Sequence, residues 1–132
     1  MNVLFQIHSI FGERVLPLLI VLAAIFLTVT YKPDAPRSLV ARIFPVLVDL
    51  QVTLGIVYWV FLLFNTTGAA QARYLGFPFI LHPILGILAA GIAHMAVGPK
   101  NPLRSLGRWA PLASLAILLV IVLTTVVVGI QA

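Results

Sequence analysis

The chain has 132 residues, of which 62% are hydrophobic and only 8% charged. A soluble domain carries about 25% charged residues, so a water-facing globular protein is excluded, and the same numbers exclude intrinsic disorder. The net charge of +5 is no nucleic-acid footprint, because Lys32, Arg37, Arg42, Lys100, Arg104 and Arg108 lie in two short segments between apolar runs rather than on one wet face.

The first apolar run covers residues 15–31 and reaches upstream through Val3, Leu4, Phe5, Ile7, Ile10 and Phe11, with only Glu13 and Arg14 interrupting it. Further runs follow at residues 43–64, 74–97 and 111–130. Each has the length a helix needs to cross roughly 30 Å of hydrocarbon. No water is available there to satisfy backbone groups, so the spans must be helical. The runs lack period-two alternation, which excludes a transmembrane barrel. The connectors are short and carry Pro33, Pro36, Gly68, Pro99, Pro102 and Gly107. The expected fold is all-α: one transmembrane domain over residues 1–132, an up-down four-helix bundle with spans at about 10–31, 43–64, 74–97 and 111–130.

The basic residues set the orientation. The first and third connectors hold the six cations named above, whereas the second holds only Arg73. By the positive-inside rule the first and third face the cytoplasm and both termini lie outside. No cleavable signal peptide is evident. The halves share the pattern span, basic loop, span, but no recurring motif is read from them, which argues against an inverted-repeat transporter.

Ionisable groups at membrane depth are expensive and are functional candidates by default. Counted from the basic end at 1.5 Å per residue, Asp49 and His94 lie roughly 5–8 Å in, and His82 about 22 Å in. Glu13 and Arg14 lie about 26 Å in, and His8 about 8–12 Å beyond His82. Asp49 and His94 therefore form one layer, either as a helix–helix polar pair or as a proton relay. His82 is followed by Pro83, Gly86 and Ala90, a small-residue face that admits a flat macrocycle or another helix. It reads either as a haem ligand or as a histidine hydrogen-bonded across a packed face. His94 lies about 120° around the helix from His82, so the two do not stack two haems. Arg14 either neutralises Glu13 or pairs with a haem propionate. No cysteine is present, and no phosphate loop, HExxH motif or hydrolytic triad is found. The chain is therefore not expected to be an enzyme by itself.

The stretches His8-Ser9 with Arg14-Val15-Leu16, Asp49-Leu50-Gln51-Val52-Thr53-Leu54-Gly55, and His82-Pro83-Ile84-Leu85-Gly86 together resemble a family of small bacterial four-span proteins of cytochrome-b-like type. The second and third spans also resemble one half of the haem A synthase bundle. The resemblance covers most of the chain. It departs at Asp49, where the family has histidine, and at Leu81, where the family has glutamate. It implies a bacterial inner-membrane subunit of respiratory or photosynthetic electron transfer. That subunit would bind one b-type haem near the outer face through His82 and His8, with Gly86 and Arg14 beside the cofactor, and would sit in the lipid bilayer among other redox subunits. The matching alternatives are a haem on His82 alone, a cofactor-free accessory subunit with a smooth fourth helix, and a quinone- or proton-handling protein.

Overall fold

A computed structural model describes residues 2–131, and these are helical with short connections. The helices are α1 (Asn2–Val29), α2 (Leu39–Asn65), α3 (Gly68–Leu75), α4 (Leu81–Val97) and α5 (Trp109–Gln131). A single 3-10 turn, Arg104–Leu106, precedes α5.

The first helix begins earlier than expected and runs through Glu13 and Arg14. At Phe11–Val15 it widens into a π-turn, where the Leu16 N–H donates to the Phe11 carbonyl. Pro17 accounts for this. Its ring has no N–H and crowds the carbonyl four residues before it, and an extra residue in the turn relieves the crowding. The second helix starts at a Ser38 cap, whose hydroxyl accepts from the Ala41 N–H at 3.2 Å.

The expected third span, residues 74–97, is not one helix. Tyr74 and Leu75 belong to the last turn of the short helix α3, residues 76–80 form turns, and α4 starts only at Leu81. Gly76 and Pro78 are the physical cause, since glycine weakens a helix and proline cannot donate within one. Pro83 falls in the first turn of α4, where its missing N–H costs nothing.

Four helices share one core. Leu16, Ile20, Ala23 and Ala24 of α1 meet Phe44 and Val48 of α2, Ala89, Ala93 and Ala96 of α4, and Leu115, Leu118 and Val122 of α5. Each neighbouring pair packs: α1 on α2, α2 on α4, α4 on α5, and α5 on α1. The fourth apolar run is therefore not smooth all round in use. Ala110, Ser114, Leu118 and Val122, spaced by four residues, bury one face of α5.

Large apolar side chains cover the outside instead: Leu18, Leu22, Ile25, Val46, Leu50, Val57, Ile87, Val120 and Val127 are all exposed. A contiguous apolar exterior around a core rich in alanine suits lipid, not water. Helices α1, α2 and α5 are long and apolar enough to cross a membrane. Helix α4 is apolar and shorter, at 17 residues. The chain has the build of a membrane protein.

Candidate functional site

His8 and His82 come from α1 and α4, which face each other across the core. Their rings lie with centroids 6.1 Å apart and planes at 87°. This corrects the expected offset of about 8–12 Å, which assumed helix ends level at the basic end. They are not level. Residues 98–108 fold back under α4: Asn101 is buried, donates to the Ala96 carbonyl at 3.2 Å and to Ser114 Oγ at 2.9 Å, and accepts from the Leu103 N–H at 2.8 Å. Beneath it Gly107 approaches the Tyr31 hydroxyl just past the end of α1. Helix α4 therefore ends higher than α1, and His82 meets His8.

The two histidines are held in the same way. His8 Nδ1 donates to the Gln51 carbonyl on α2 at 3.1 Å. His82 Nδ1 donates to the Thr125 carbonyl on α5 at 2.7 Å. Each ring then rests over the glycine one turn further on. A Cβ at Gly55 would meet His8 Cε1 at 2.5 Å, and one at Gly129 would meet His82 Cε1 at 2.8 Å. A carbonyl can only accept, so each ring carries a proton on Nδ1, and in the neutral tautomer Nε2 is the nitrogen with the free lone pair. Metal-binding imidazoles commonly donate their other ring N–H to a backbone carbonyl in the same way.

The identical spacing exposes an internal duplication that the sequence reading did not find. Both histidines lie 43 residues before the carbonyl that holds them. His8-x-Ile10-x-Gly12 recurs as His82-x-Ile84-x-Gly86, and Val52-x-x-Gly55-Ile56 recurs as Val126-x-x-Gly129-Ile130. Between them, Pro33-x-x-Pro36-Arg37-Ser38-Leu39 recurs as Pro99-x-x-Pro102-Leu103-Arg104-Ser105-Leu106. The loop block is displaced by a shorter interval than the other two, because the second half loses roughly two helical turns before its loop. A comparison at one fixed offset misses it. The two hairpins α1–α2 and α4–α5 repeat one pattern of motifs, and one histidine from each meets the other near the end of the bundle that α3 covers.

A cavity of about 440 Å³ surrounds the pair. One glycine from each core helix lines it: Gly12, Gly55, Gly86 and Gly129. Glu13, Tyr58, Trp59 and Arg73 also border it. Helix α3 is strapped over this end by the Trp59 indole N–H, which donates to the Tyr74 carbonyl at 2.9 Å, and by Gln71 Nε2, which donates to the Leu63 carbonyl at 2.9 Å. Gln51 is buried in the notch of Gly12, and its Nε2 donates to the His8 carbonyl at 2.7 Å. Its Oε1 has no partner among the described residues. A buried acceptor left bare costs about 1–3 kcal/mol, so the cavity wall offers an acceptor to a donor inside.

The remaining expected site residues fall elsewhere. Arg14 does not border the cavity; Arg73, from the short helix, does. Nor does Arg14 pair with Glu13 among the described residues, because adjacent helical residues point about 100° apart. Gly86 lines the cavity but is not the tight position, since a Cβ there would stand 3.8 Å from Val52. Asp49 and His94 meet, with Oδ2 and Nε2 2.7 Å apart, on the outer surface and away from the histidine pair.

Comparison of the chain with protein-family models, with curated proteins and with solved structures finds no match.

Proposed function

We propose that the chain is a four-span up-down bundle of the bacterial inner membrane, with both termini outside, and that His8 and His82 hold one b-type haem between its two hairpins. In this reading it is a small electron-transfer subunit that works beside other redox subunits in the bilayer. The observation that carries the proposal is the histidine pair. Two imidazoles brought this close from two hairpins are the residues that would hold a haem iron. The ring centroids lie 6.1 Å apart, and a ring that donates through Nδ1 has Nε2 as the nitrogen that would bind the iron.

The donor set favours a macrocycle over a bare ion. Among the described residues no group of three or more His, Asp or Glu side chains converges. A bare transition ion typically wants four donors, whereas a tetrapyrrole iron brings four nitrogens of its own. When bound, such an iron supplies one-electron redox chemistry. The chain's own part is to orient two ligands and to surround the site with a largely apolar wall, at whose border Arg73 lies. The resemblance of His8-Ser9 and His82-Pro83 to small cytochrome-b-like proteins points the same way. Asp49, at the position of the family's other histidine, pairs with His94 and borders no part of this cavity.

A second reading rests on the same bonds. His8 and His82 each tie two helices together, as polar clips do in a cofactor-free accessory subunit. A reduced-minus-oxidised spectrum of the purified protein separates the two. An α-band with stoichiometric haem is the expected result; a colourless protein that co-purifies with redox subunits gives the accessory role.

The topology has its own test. Asn65→Cys and Ser105→Cys are expected to label from opposite sides of the membrane, with Asn65→Cys reached from outside intact cells. Outside labelling of Ser105→Cys would overturn the orientation.

A further inference from the structure

We infer that the groove between α1 and α2 at the basic end of the bundle binds an anionic phospholipid, with one acyl chain in the groove and the phosphate among Lys32, Arg37 and Arg42. The inference rests on the membrane reading of the helices and not on haem binding. The groove holds about 640 Å³, with Ala23 and Phe44 as its buried floor and Phe26, Val29, Leu39 and Ile43 exposed on its walls. It runs along α1 from Leu19 to Thr30, roughly 16 Å at 1.5 Å per residue. Half of a hydrocarbon core of about 30 Å is about 15 Å, so the groove has the length of one leaflet's acyl chain. That volume over that length leaves a section of about 40 Å², room for extended hydrocarbon and too little for a helix about 10–12 Å across. Thr30, the one polar side chain on the wall among the described residues, donates its hydroxyl proton to the Phe26 carbonyl at 2.7 Å. The wall is therefore built for an apolar occupant.

The mouth of the groove sets the headgroup. The wall on α1 ends at Thr30 and the wall on α2 begins at Leu39, so residues 31–38 cross this end. They carry Lys32 and Arg37, and Arg42 follows in the first turn of α2. All three cations are exposed, and none forms an ion pair among the described residues, although Asp34 shares the connector. Cations beside an interhelical groove at headgroup depth are a setting that binds anionic lipid heads. The second hairpin supplies the contrast. Its connector has as many cations, Lys100, Arg104 and Arg108, but there the buried Asn101 joins the Ala96 carbonyl of α4 to Ser114 of α5 and fills the space between them. Positive charge serves orientation in both hairpins; in the first it also stands at the mouth of an apolar groove.

The test offers the chain, purified from carbonate-washed membranes into a nonionic detergent, equal amounts of phosphatidylglycerol and phosphatidylcholine with the same acyl chains. Retained lipid is counted by native mass spectrometry. One phosphatidylglycerol per chain is expected, preferred about tenfold over phosphatidylcholine. Lys32→Gln with Arg42→Gln should erase the preference, whereas Lys100→Gln with Arg108→Gln should keep it. Leu22→Trp fills the groove and should exclude both lipids. Val29→Trp repeats that test nearer the mouth, and Val120→Trp, exposed on α5 outside the groove, should retain the lipid. Equal retention of the two lipids by the unaltered chain, equal loss of preference in both double variants, or full retention by Leu22→Trp and Val29→Trp overturns the site. So does a protein subunit, in place of lipid, that the unaltered chain holds and Leu22→Trp loses. Release of the chain by carbonate overturns the membrane reading and the lipid site with it, whereas a colourless chain that still holds the lipid leaves the site standing and removes only the haem.

Discussion

Alanine in place of His8 or of His82 is expected to abolish stoichiometric haem binding, and the two variants should behave alike. The duplicated hairpin is the reason. Each histidine is anchored through Nδ1 to a helix carbonyl, and each sits over a glycine one turn along. Neither has a better-built setting than the other. The helix counts alone make His82 indispensable and His8 the uncertain partner; the 6.1 Å approach of the rings makes them equal. His94→Ala should keep the spectrum, because His94 lies against Asp49 on the outer surface. Haem content of the purified variants is the measurement. A His82→Ala protein with a full complement of haem would refute the assignment, and a large difference between His8→Ala and His82→Ala would refute the equivalence.

Filling the glycine notches should be nearly as damaging. Valine at Gly55 or Gly129 puts its first side-chain carbon 2.5 Å or 2.8 Å from a histidine ring atom. No real contact is that short, so the ring must leave its place and give up its bond to the Gln51 or Thr125 carbonyl. Overpacking costs about 1–3 kcal/mol, and the stranded ring N–H adds roughly 1 kcal/mol more. Both variants should lower the thermal unfolding midpoint and lose haem together. Gly86→Ala is the internal control: its Cβ would meet Val52 at an ordinary 3.8 Å, and it should be close to neutral. A Gly129→Val protein with unchanged stability and spectrum would show that the notch does not hold His82.

Asp49 and His94 meet as the depth count expects, although their helix ends are not level: α2 begins ten residues before Asp49 and α4 ends three residues after His94. The same counting failed for His8 because α1 and α4 end at different levels. Arg73 was missed as a cavity residue because its helix, α3, bends over the bundle end on the turn at Gly76 and Pro78. The sequence signal for that bend is the Gly-Phe-Pro triplet itself. The duplication was also legible in principle, in the paired Pro-x-x-Pro loops and the His-x-Ile-x-Gly motifs, once a change of interval between the blocks is allowed.

Composition and periodicity alone determine that this chain is helical, apolar on its outside and punctuated at its prolines and glycines. Those properties depend on residues near one another in sequence and on the solvent each face must meet. The meeting of His8 with His82, the carbonyl that orients each ring, the exclusion of Arg14 in favour of Arg73 and the exposure of Asp49 and His94 were decided by the tertiary structure. Each depends on how far one helix slides past another. That slide is set by core packing of Ile20, Val48, Ala93 and Leu118 and by a buried Asn101 beneath α4, which are interactions between residues far apart along the chain.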